Sequence, residues 1–314
     1  MKRLSVNPLQ DMILLFSLIR IFLRERPQYV FLYTIKPNIF GTIAARVCRI
    51  HSSMMMAGLG RVFTNNSLSS YIARALYRLA LAFSDHLLLL NDENVETVKK
   101  LGMCKKDKIV RLKSGEGVNL QRFQFHDNKN DKVSFLFVGR LLREKGVLDF
   151  VEAARLVKQQ CHEAEFQVAG GTDTSSPDSL TREEIESFVA SDIIDYLGII
   201  DMVKKLEEPG LVIVIPSYYS EGLNHSLMVG CATGKPIITT DWPGCRETVI
   251  EGRNGYLVPT KNPEALAEAM LRYIILTDDE KQVMSQESRR LAEQCFDVKS
   301  VYAVYDKILG IQSC

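Results

Sequence analysis

The sequence predicts an α/β protein made of two tandem Rossmann-like domains, the first incomplete at its N-terminus. Three observations carry this. Short apolar, β-rich runs alternate with helical patterns, and the alternation occurs twice. A polar stretch without periodicity, residues 119–132, separates the two series. The strands are apolar on both faces, as in the run VIVIP that ends at Pro216, which marks a parallel sheet covered by helices on each side. A first domain is thus expected over 1–118, a linker over 119–132 and a second domain over 133–295. A terminal helix within 296–314 returns to the first domain.

The first half opens on an apolar helix, MILLFSLIRIFL over Met12–Leu23. It is too short to span a bilayer and holds Arg20. The stretch after it, Arg24-Glu25-Arg26-Pro27, is no signal-peptidase site. A mostly buried helix is expected, with an interfacial membrane helix as the alternative. Strands follow at Tyr29–Tyr33, Ser53–Ala57, His86–Leu90 and Ile109–Lys113, alternating with helices at Asn38–Cys48, Leu68–Phe83 and Asn94–Leu101. The second half reads as strands at Ser134–Val138, Glu165–Ala169, Ile194–Leu197, Val212–Pro216, Pro236–Thr240 and Tyr256–Val258. Its helices are Val147–Gln159, Arg182–Ala190, Asn224–Thr233, Pro263–Leu276, Asp279–Gln294 and Lys299–Leu309. The first half therefore has fewer strands than the second. It also lacks an opening strand and glycine-rich turn, so strand edges should lie exposed.

Composition narrows the function classes. A net charge of +1 over 314 residues leaves no footprint for nucleic acid. Lys99, Lys100, Lys105, Lys106, Lys108, Arg111 and Lys113 form a local basic run, either a solvated helix end or a surface for anionic lipid. The seven cysteines are scattered with no CxxC pair, which fits a reducing compartment and no zinc site. The histidines lack ligand spacing and no DxD triplet occurs, so no metal is expected to carry the chemistry. Gly58-Leu59-Gly60 is followed by Phe63 where a dinucleotide fingerprint needs a third glycine.

Polar groups cluster instead where strands end and helices begin, the place where open parallel sheets bind phosphorylated ligands. Gly139, Arg140 and Lys145 follow the first strand of the second half, and their two cations can clamp a diphosphate. Arg143 between them is expected to be exposed, and an ordinary basic loop is the plain alternative. Gly170-Gly171 ends the next strand without a Cβ, permitting close approach of a ligand or of another backbone. Glu221-Gly222-Leu223 precedes the helix that starts at Asn224. Its carboxylate can accept hydrogen bonds from sugar hydroxyls, and the amides of 222–224 can meet phosphate. Thr240-Asp241 and PGCRE at Pro243–Glu247 close the following strand.

These motifs, with NPLQD at Asn7, YTIKPNIFG at Tyr33, AGLGRVF at Ala57, SGEGVN at Ser114 and FDVKSVYAVY at Phe296, resemble family 4 glycosyltransferases of the two-domain GT-B type. The likeness is strongest to bacterial enzymes that add N-acetylhexosamine-type sugars, including galactosamine, to undecaprenyl-diphosphate-linked glycans. The resemblance implies a hexosyltransferase with a nucleotide-sugar donor, in this family usually a UDP-sugar, in the second domain and a lipid-linked acceptor in the first. It implies capsule, O-antigen or glycoprotein-glycan assembly, at the cytoplasmic face of the cell membrane as a peripheral protein. By position, Arg140 and Lys145 would hold the diphosphate, beside Gly139 and Gly170. Glu221 would bind the transferred sugar, with amides from Gly222 and Leu223. The Leu197-Gly198-Ile199 turn would meet the base. Retention is implied, with the leaving phosphate taking the acceptor's proton, no catalytic base from the protein and no cofactor or metal.

Two departures from the family pattern stand out. The family places a glutamate eight residues after the first, against the donor ribose; here that position is Val229, whose replacement by Glu would be expected to strengthen UDP binding. The family also has strand–helix units before the segment matching Met1. Lys36 and Arg61 are the acceptor-side candidates, while His51 reads as structural and His225 as donor-facing or solvent-facing. A degenerate homologue that is inactive or only binds nucleotide is the alternative. A nucleotide-sugar epimerase is a third reading, disfavoured by EGLNHSL and PGCRE.

Overall fold

The computed structural model describes residues 8–59, 68–129, 132–174 and 176–311. The chain divides into two compact units. One comprises Met1–Gly115, Ser220–Gly222 and Ala303–Cys314; the other comprises Glu116–Tyr219 and Leu223–Tyr302.

The first unit carries a four-stranded sheet of β1 (Tyr29–Tyr33), β2 (His51–Met56), β3 (His86–Leu89) and β4 (Ile109–Arg111), all parallel and ordered β1-β2-β3-β4. Right-handed crossovers between strands laid down in one direction put the connecting helices on one face. These are α2 (Thr42–Cys48), α3 (Leu68–Phe83) and α4 (Asp92–Lys100). Met54, Met56, Leu87 and Leu89 point to that face and pack with Ile39, Tyr77, Ala80 and Leu81. On the other face Tyr305 sets its ring edge-on to Phe31 at 4.6 Å and its hydroxyl at 2.7 Å from that of Tyr33. β1 and β4 are the sheet's edges.

The opening helix α1 (Pro8–Glu25) differs from the mostly buried helix expected. Leu15, Leu18, Ile19 and Phe22 pack on Val30, Ala44, Ala45, Cys48 and Ile50. The opposite stripe, Leu9, Met12, Ile13, Phe16 and Leu23, is exposed. These positions recur at the helical repeat, so the helix carries two apolar faces and buries one.

Two residues of this unit's basic run are structural, while Lys99, Lys100, Lys105, Lys106 and Lys113 are exposed. Lys108 Nζ caps the end of α3 through the carbonyls of Leu81, Ala82 and Ser84, where a cation meets the negative end of the helix dipole. Arg111 holds Asp92 and the carbonyls of Leu90 and Leu112.

The second unit is built on six parallel strands: β5 (Ser134–Val138), β6 (Glu165–Ala169), β7 (Asp195–Gly198), β8 (Leu211–Ile215), β9 (Ile237–Thr240) and β10 (Gly255–Val258). Their order is β10-β9-β8-β5-β6-β7. The chain moves outward from β5 to β7, then returns to lay β8 on the other side of β5. That reversal is a topological switch point, where an open sheet forms a crevice at its strand C-termini. β5 and β8 are buried along their full length, which explains the runs SFLFV and LVIVI. The surrounding helices are α5 (Val147–Lys158), α6 (Arg182–Ala190), α7 (Met202–Lys205), α8 (His225–Ala232), α9 (Pro263–Ile274) and α10 (Asp278–Cys295). A last helix, α11 (Val298–Leu309), begins in this unit and ends in the other.

The stretch expected to be a linker is instead a strap on the second unit. Asn128 is buried, donates to the Leu211 carbonyl at 3.0 Å and accepts from Leu211 N and Lys235 Nζ. Arg289 ties the Phe123 and Ala232 carbonyls together. Lack of periodicity reflected a segment that bonds through side chains and carbonyls one at a time. The unit boundary accordingly falls between Gly115 and Glu116, and the return to the first unit at Ala303.

Candidate nucleotide-sugar site

The crevice of the second unit is assembled by the residues that end β5, β6 and β7. Gly139 N donates to the Ala169 carbonyl at 3.0 Å, Gly170 N to the Gly198 carbonyl at 2.8 Å and Leu141 N to the Gly171 carbonyl at 3.1 Å. Gly170 has φ +146°, and a Cβ there would lie 1.7 Å from the Gly139 carbonyl oxygen, so only glycine permits this approach. Tyr196 pins the same residue by donating to its carbonyl at 2.8 Å. Above these turns lies a cleft of about 540 Å³, lined among others by Gly139, Arg140, Gly170, Gly171, Asp173, Ile199 and Met202. Its walls are backbone and apolar side chains with a few polar groups, Arg140, Thr172, Asp173 and Thr174, a composition suited to a small polar ligand.

The loop after β5 is drawn against the end of β8. It runs through a 3₁₀ turn, Arg143–Lys145, to Gly146, whose φ of +78° begins α5. A Cβ on Gly146 would meet the Pro216 carbonyl oxygen at 2.1 Å. Tyr218 N donates to the Glu144 carbonyl at 2.9 Å, closing the two loops together. Lys145 is buried, with Nζ 5.2 Å from the centre of the Tyr219 ring, and Arg140 Cζ lies over the same ring at 5.7 Å. Arg143 departs from expectation: it reaches Glu184 Oε1 on α6 at 2.6 Å and is only partly exposed.

Of the residues singled out from the sequence, Gly139, Arg140 and Gly170 line the cleft. Gly198 (φ +67°) supports it through Gly170 and hands Ile199 to its wall. Lys145 meets Arg140 through Tyr219. Glu221 and Gly222 fall elsewhere, within the first unit. Asn91 donates from Nδ2 to the Glu221 carbonyl at 3.0 Å. A Cβ on Gly58 would lie 2.8 Å from Glu221 Cα, and one on Gly222 would lie 2.2 Å from the Ala57 carbonyl. The glycine pair examined for a dinucleotide motif thus begins with a residue that admits the Glu221 segment. Asn91 gave a weaker signal: it caps α4, and its bond to Glu221 spans 130 residues.

Two expectations need correction. Val229 is 2% exposed, lies in the core of the second unit and is not among the residues lining the cleft. α8 is buried from Leu227 to Ala232, because it packs against β8 and β9. The Leu223 side chain packs in that core too. The Asn224 amide is not free for phosphate: it donates to the Gly244 carbonyl at 2.7 Å while the Asn224 side chain caps α8. The PGCRE turn is therefore a support, with Glu247 accepting from Gly244 N at 2.8 Å and Arg246 paired with Asp241 at 2.9 Å.

On the first unit, Lys36 forms an ion pair with Asp11 at 2.6 Å. Arg61 lies outside the described residues. His51 opens β2, exposed and 3.2 Å from Asp85, and His225 is exposed at the first position of α8. Among the described residues no group of three or more His, Cys, Asp or Glu side chains could hold a metal ion. No described helix is long and apolar enough to cross a membrane.

Two parallel α/β sheets with a crevice at a switch point define the GT-B class of fold, and comparison with known proteins agrees. Residues 132–275 match the family described as glycosyl transferases group 1. The N,N'-diacetylbacillosaminyl-diphospho-undecaprenol alpha-1,3-N-acetylgalactosaminyltransferase of Campylobacter jejuni is 29% identical, over 89% of this chain and 75% of its own length. The capsular polysaccharide biosynthesis glycosyltransferase CapM of Staphylococcus aureus is 23% identical over 96% and 81%. Anabaena HepE in complex with UDP has a similar fold, with a TM-score of 0.79 at 16% identity and coverage of 95% and 82%. The second unit is a group 1 glycosyltransferase domain. The chain is a glycosyltransferase of the GT-B fold.

Proposed function

We propose that this glycosyltransferase moves a hexosamine-type sugar, with retention, from a UDP-sugar to a lipid-linked glycan acceptor at a membrane surface. The observation that carries this is the glycine-lined cleft over the C-terminal ends of β5, β6 and β7, with Arg140 at its rim. The Campylobacter jejuni enzyme, named for transfer of N-acetylgalactosamine to a diphospho-undecaprenol-linked sugar, favours the hexosamine and the lipid-linked acceptor, and the Anabaena fold relative solved with UDP favours the UDP donor.

In this reading the base occupies the cleft beside the Gly198–Ile199 turn, and Arg140 and Lys145 meet the diphosphate. As the bond to the anomeric carbon breaks, negative charge grows on the leaving phosphate, and those cations stabilise it without a metal. The phosphate oxygen takes the acceptor hydroxyl's proton. Glu221 accepts hydrogen bonds from the sugar, and Lys36 and Arg61 serve an acceptor diphosphate.

A peripheral membrane location is supported by the first unit. Residues 1–83 hold eleven Lys and Arg against two Asp and Glu, and α1 exposes Leu9, Met12, Ile13, Phe16 and Leu23 beside Arg20, Arg24 and Arg26. Apolar side chains among cations suit a surface of anionic lipid.

The test is UDP release from UDP-N-acetylgalactosamine or UDP-N-acetylglucosamine with an undecaprenyl-diphosphate-linked sugar, with the product's anomeric configuration read by NMR. Acceptor-dependent release with an α-linked product is expected; an inverted product sinks the retaining mechanism. The alternative reading is a nucleotide-binding homologue without transfer. It predicts UDP binding with no acceptor-dependent release.

A further inference from the structure

We propose that Tyr219 is a positioning residue for the donor diphosphate: its ring holds Arg140 and Lys145 as a preformed pair. The proposal rests on the assignment of those two cations to the diphosphate. It starts from a physical difficulty. Two cations gathered to grip one anion repel each other while the site is empty. A carboxylate between them would relieve that repulsion, yet it would then compete with the incoming phosphate. An aromatic face attracts cations through its quadrupole and carries no net charge, so it can gather both and still leave them attractive to an anion.

The geometry matches this need. Arg140 Cζ lies 5.7 Å and Lys145 Nζ 5.2 Å from the centre of the Tyr219 ring, within the range of cation–π attraction. The two residues are five apart in sequence, on either side of the loop after β5, so their meeting is not a helical repeat. The backbone that carries the ring is held on both its carbonyl and its N–H. Trp242 Nε1 donates to the Tyr219 carbonyl at 3.2 Å, and Tyr219 N donates to Ser217 Oγ at 3.2 Å. Ser217 is fully buried and its hydroxyl reaches the Glu144 carbonyl at 3.4 Å. The glycine at 146 lets the Lys145 loop approach Pro216 closely. Its neighbour Tyr218 points away, to Lys261, whose Nζ lies 4.8 Å from that ring's centre. The two tyrosines therefore have separate duties, and Tyr219 is the one that faces the site's cations.

The experiment is calorimetric titration of the full chain with UDP and, separately, with uridine. Tyr219→Phe keeps the ring and is expected to bind UDP within about twofold of the parent. Tyr219→Leu is expected to weaken UDP about tenfold and leave uridine unchanged, since uridine lacks the diphosphate. Tyr219 is only partly buried, so the leucine variant should fold, and its uridine affinity reports whether it did. Coupling in a double-mutant cycle with Arg140→Gln is also expected, the loss in the double variant being smaller than the product of the single losses. Parent-like UDP binding by Tyr219→Leu overturns the proposal. So does an equal loss of UDP and uridine, or a loss in Tyr219→Phe as large as in Tyr219→Leu. If Arg140→Gln and Lys145→Gln both bind UDP like the parent, the diphosphate assignment itself fails and takes the proposal with it.

Discussion

The two units use the same strand–helix repeat and differ in where the chain goes next. In the first, each strand is laid beside the last, so β1 to β4 follow in order. In the second, the chain turns back past β5 after completing β7. With crossovers of one hand, the first route keeps the connecting helices on one face, while the second sends them to both faces and parts the loops at the reversal. The cleft forms on one side of that reversal, over the ends of β5, β6 and β7. Charge separates the units too: residues 1–83 are strongly basic although the whole chain is near neutral. One repeat thus yields a surface in one half and a ligand crevice in the other, and the difference lies in strand order and in what the outer faces carry.

Substitutions can break or sharpen this contrast. The largest effect is expected from Val229→Glu. A carboxylate at a position 2% exposed must stay protonated or unpaired in the core, a cost of about 4 kcal/mol or more. Thermal unfolding should shift strongly downward with no gain in UDP affinity. Tighter UDP binding would show that α8 reaches the ligand and that the crevice extends further than the cleft observed. Next comes Arg140→Ala, which removes the exposed cation at the rim. UDP affinity is expected to fall about ten- to a hundredfold, the worth of a charged hydrogen bond of about 1.5–3 kcal/mol, with little change in stability. Undiminished binding by calorimetry would move the nucleotide site away from the cleft over β5, β6 and β7.

On the first unit, Phe16→Asp removes an exposed ring from the outer face of α1. Sedimentation with phosphatidylglycerol vesicles is expected to show binding weakened about tenfold, as for partial loss of a buried Phe, and UDP affinity unchanged. Equal losses in both assays would mean that the two units do not divide the work in this way.

The smallest effect concerns Lys235, which is fully buried and donates to Asn128 Oδ1 at 3.0 Å and to the Glu208 carbonyl at 2.9 Å. Burial pushes its ammonium down to about 8, against the pull of Asp127 and Glu208. The unfolded chain then holds this proton up to its ordinary value near 10.4, while the folded chain releases it near 8. Between those values the unfolded state binds more protons, so this site adds stability as pH rises. The difference in stability between the parent and Lys235→Met should therefore grow in the parent's favour from about pH 8 to pH 10. A flat difference would show that the amine is not titrating in the fold.

Much of the architecture was legible in the residues. Strands Tyr29–Tyr33, Ser134–Val138 and Glu165–Ala169 and helices Leu68–Phe83 and Arg182–Ala190 have the bounds that their patterns predict. Local periodicity and flanking turn residues act over a few positions, so a linear reading captures them. The glycines and cations after β5, β6 and β7 were visible for the same reason: they stand at strand ends.

What the sequence determined by itself was the repeat, the parallel sheets, the separation of a basic first half from an acidic second half and the placing of glycines and cations at the strand ends. Tertiary structure decided the rest. It buried Val229 and Leu223 in the core, engaged the Asn224 amide with Gly244, and set Glu221 against Asn91 and Gly58. It turned residues 119–129 into a strap around Asn128 and brought Arg140 and Lys145 onto one tyrosine ring. Each of these outcomes depends on which distant segments meet, and spacing along the chain carries no record of that. Such contacts follow only once strand order places the loops side by side.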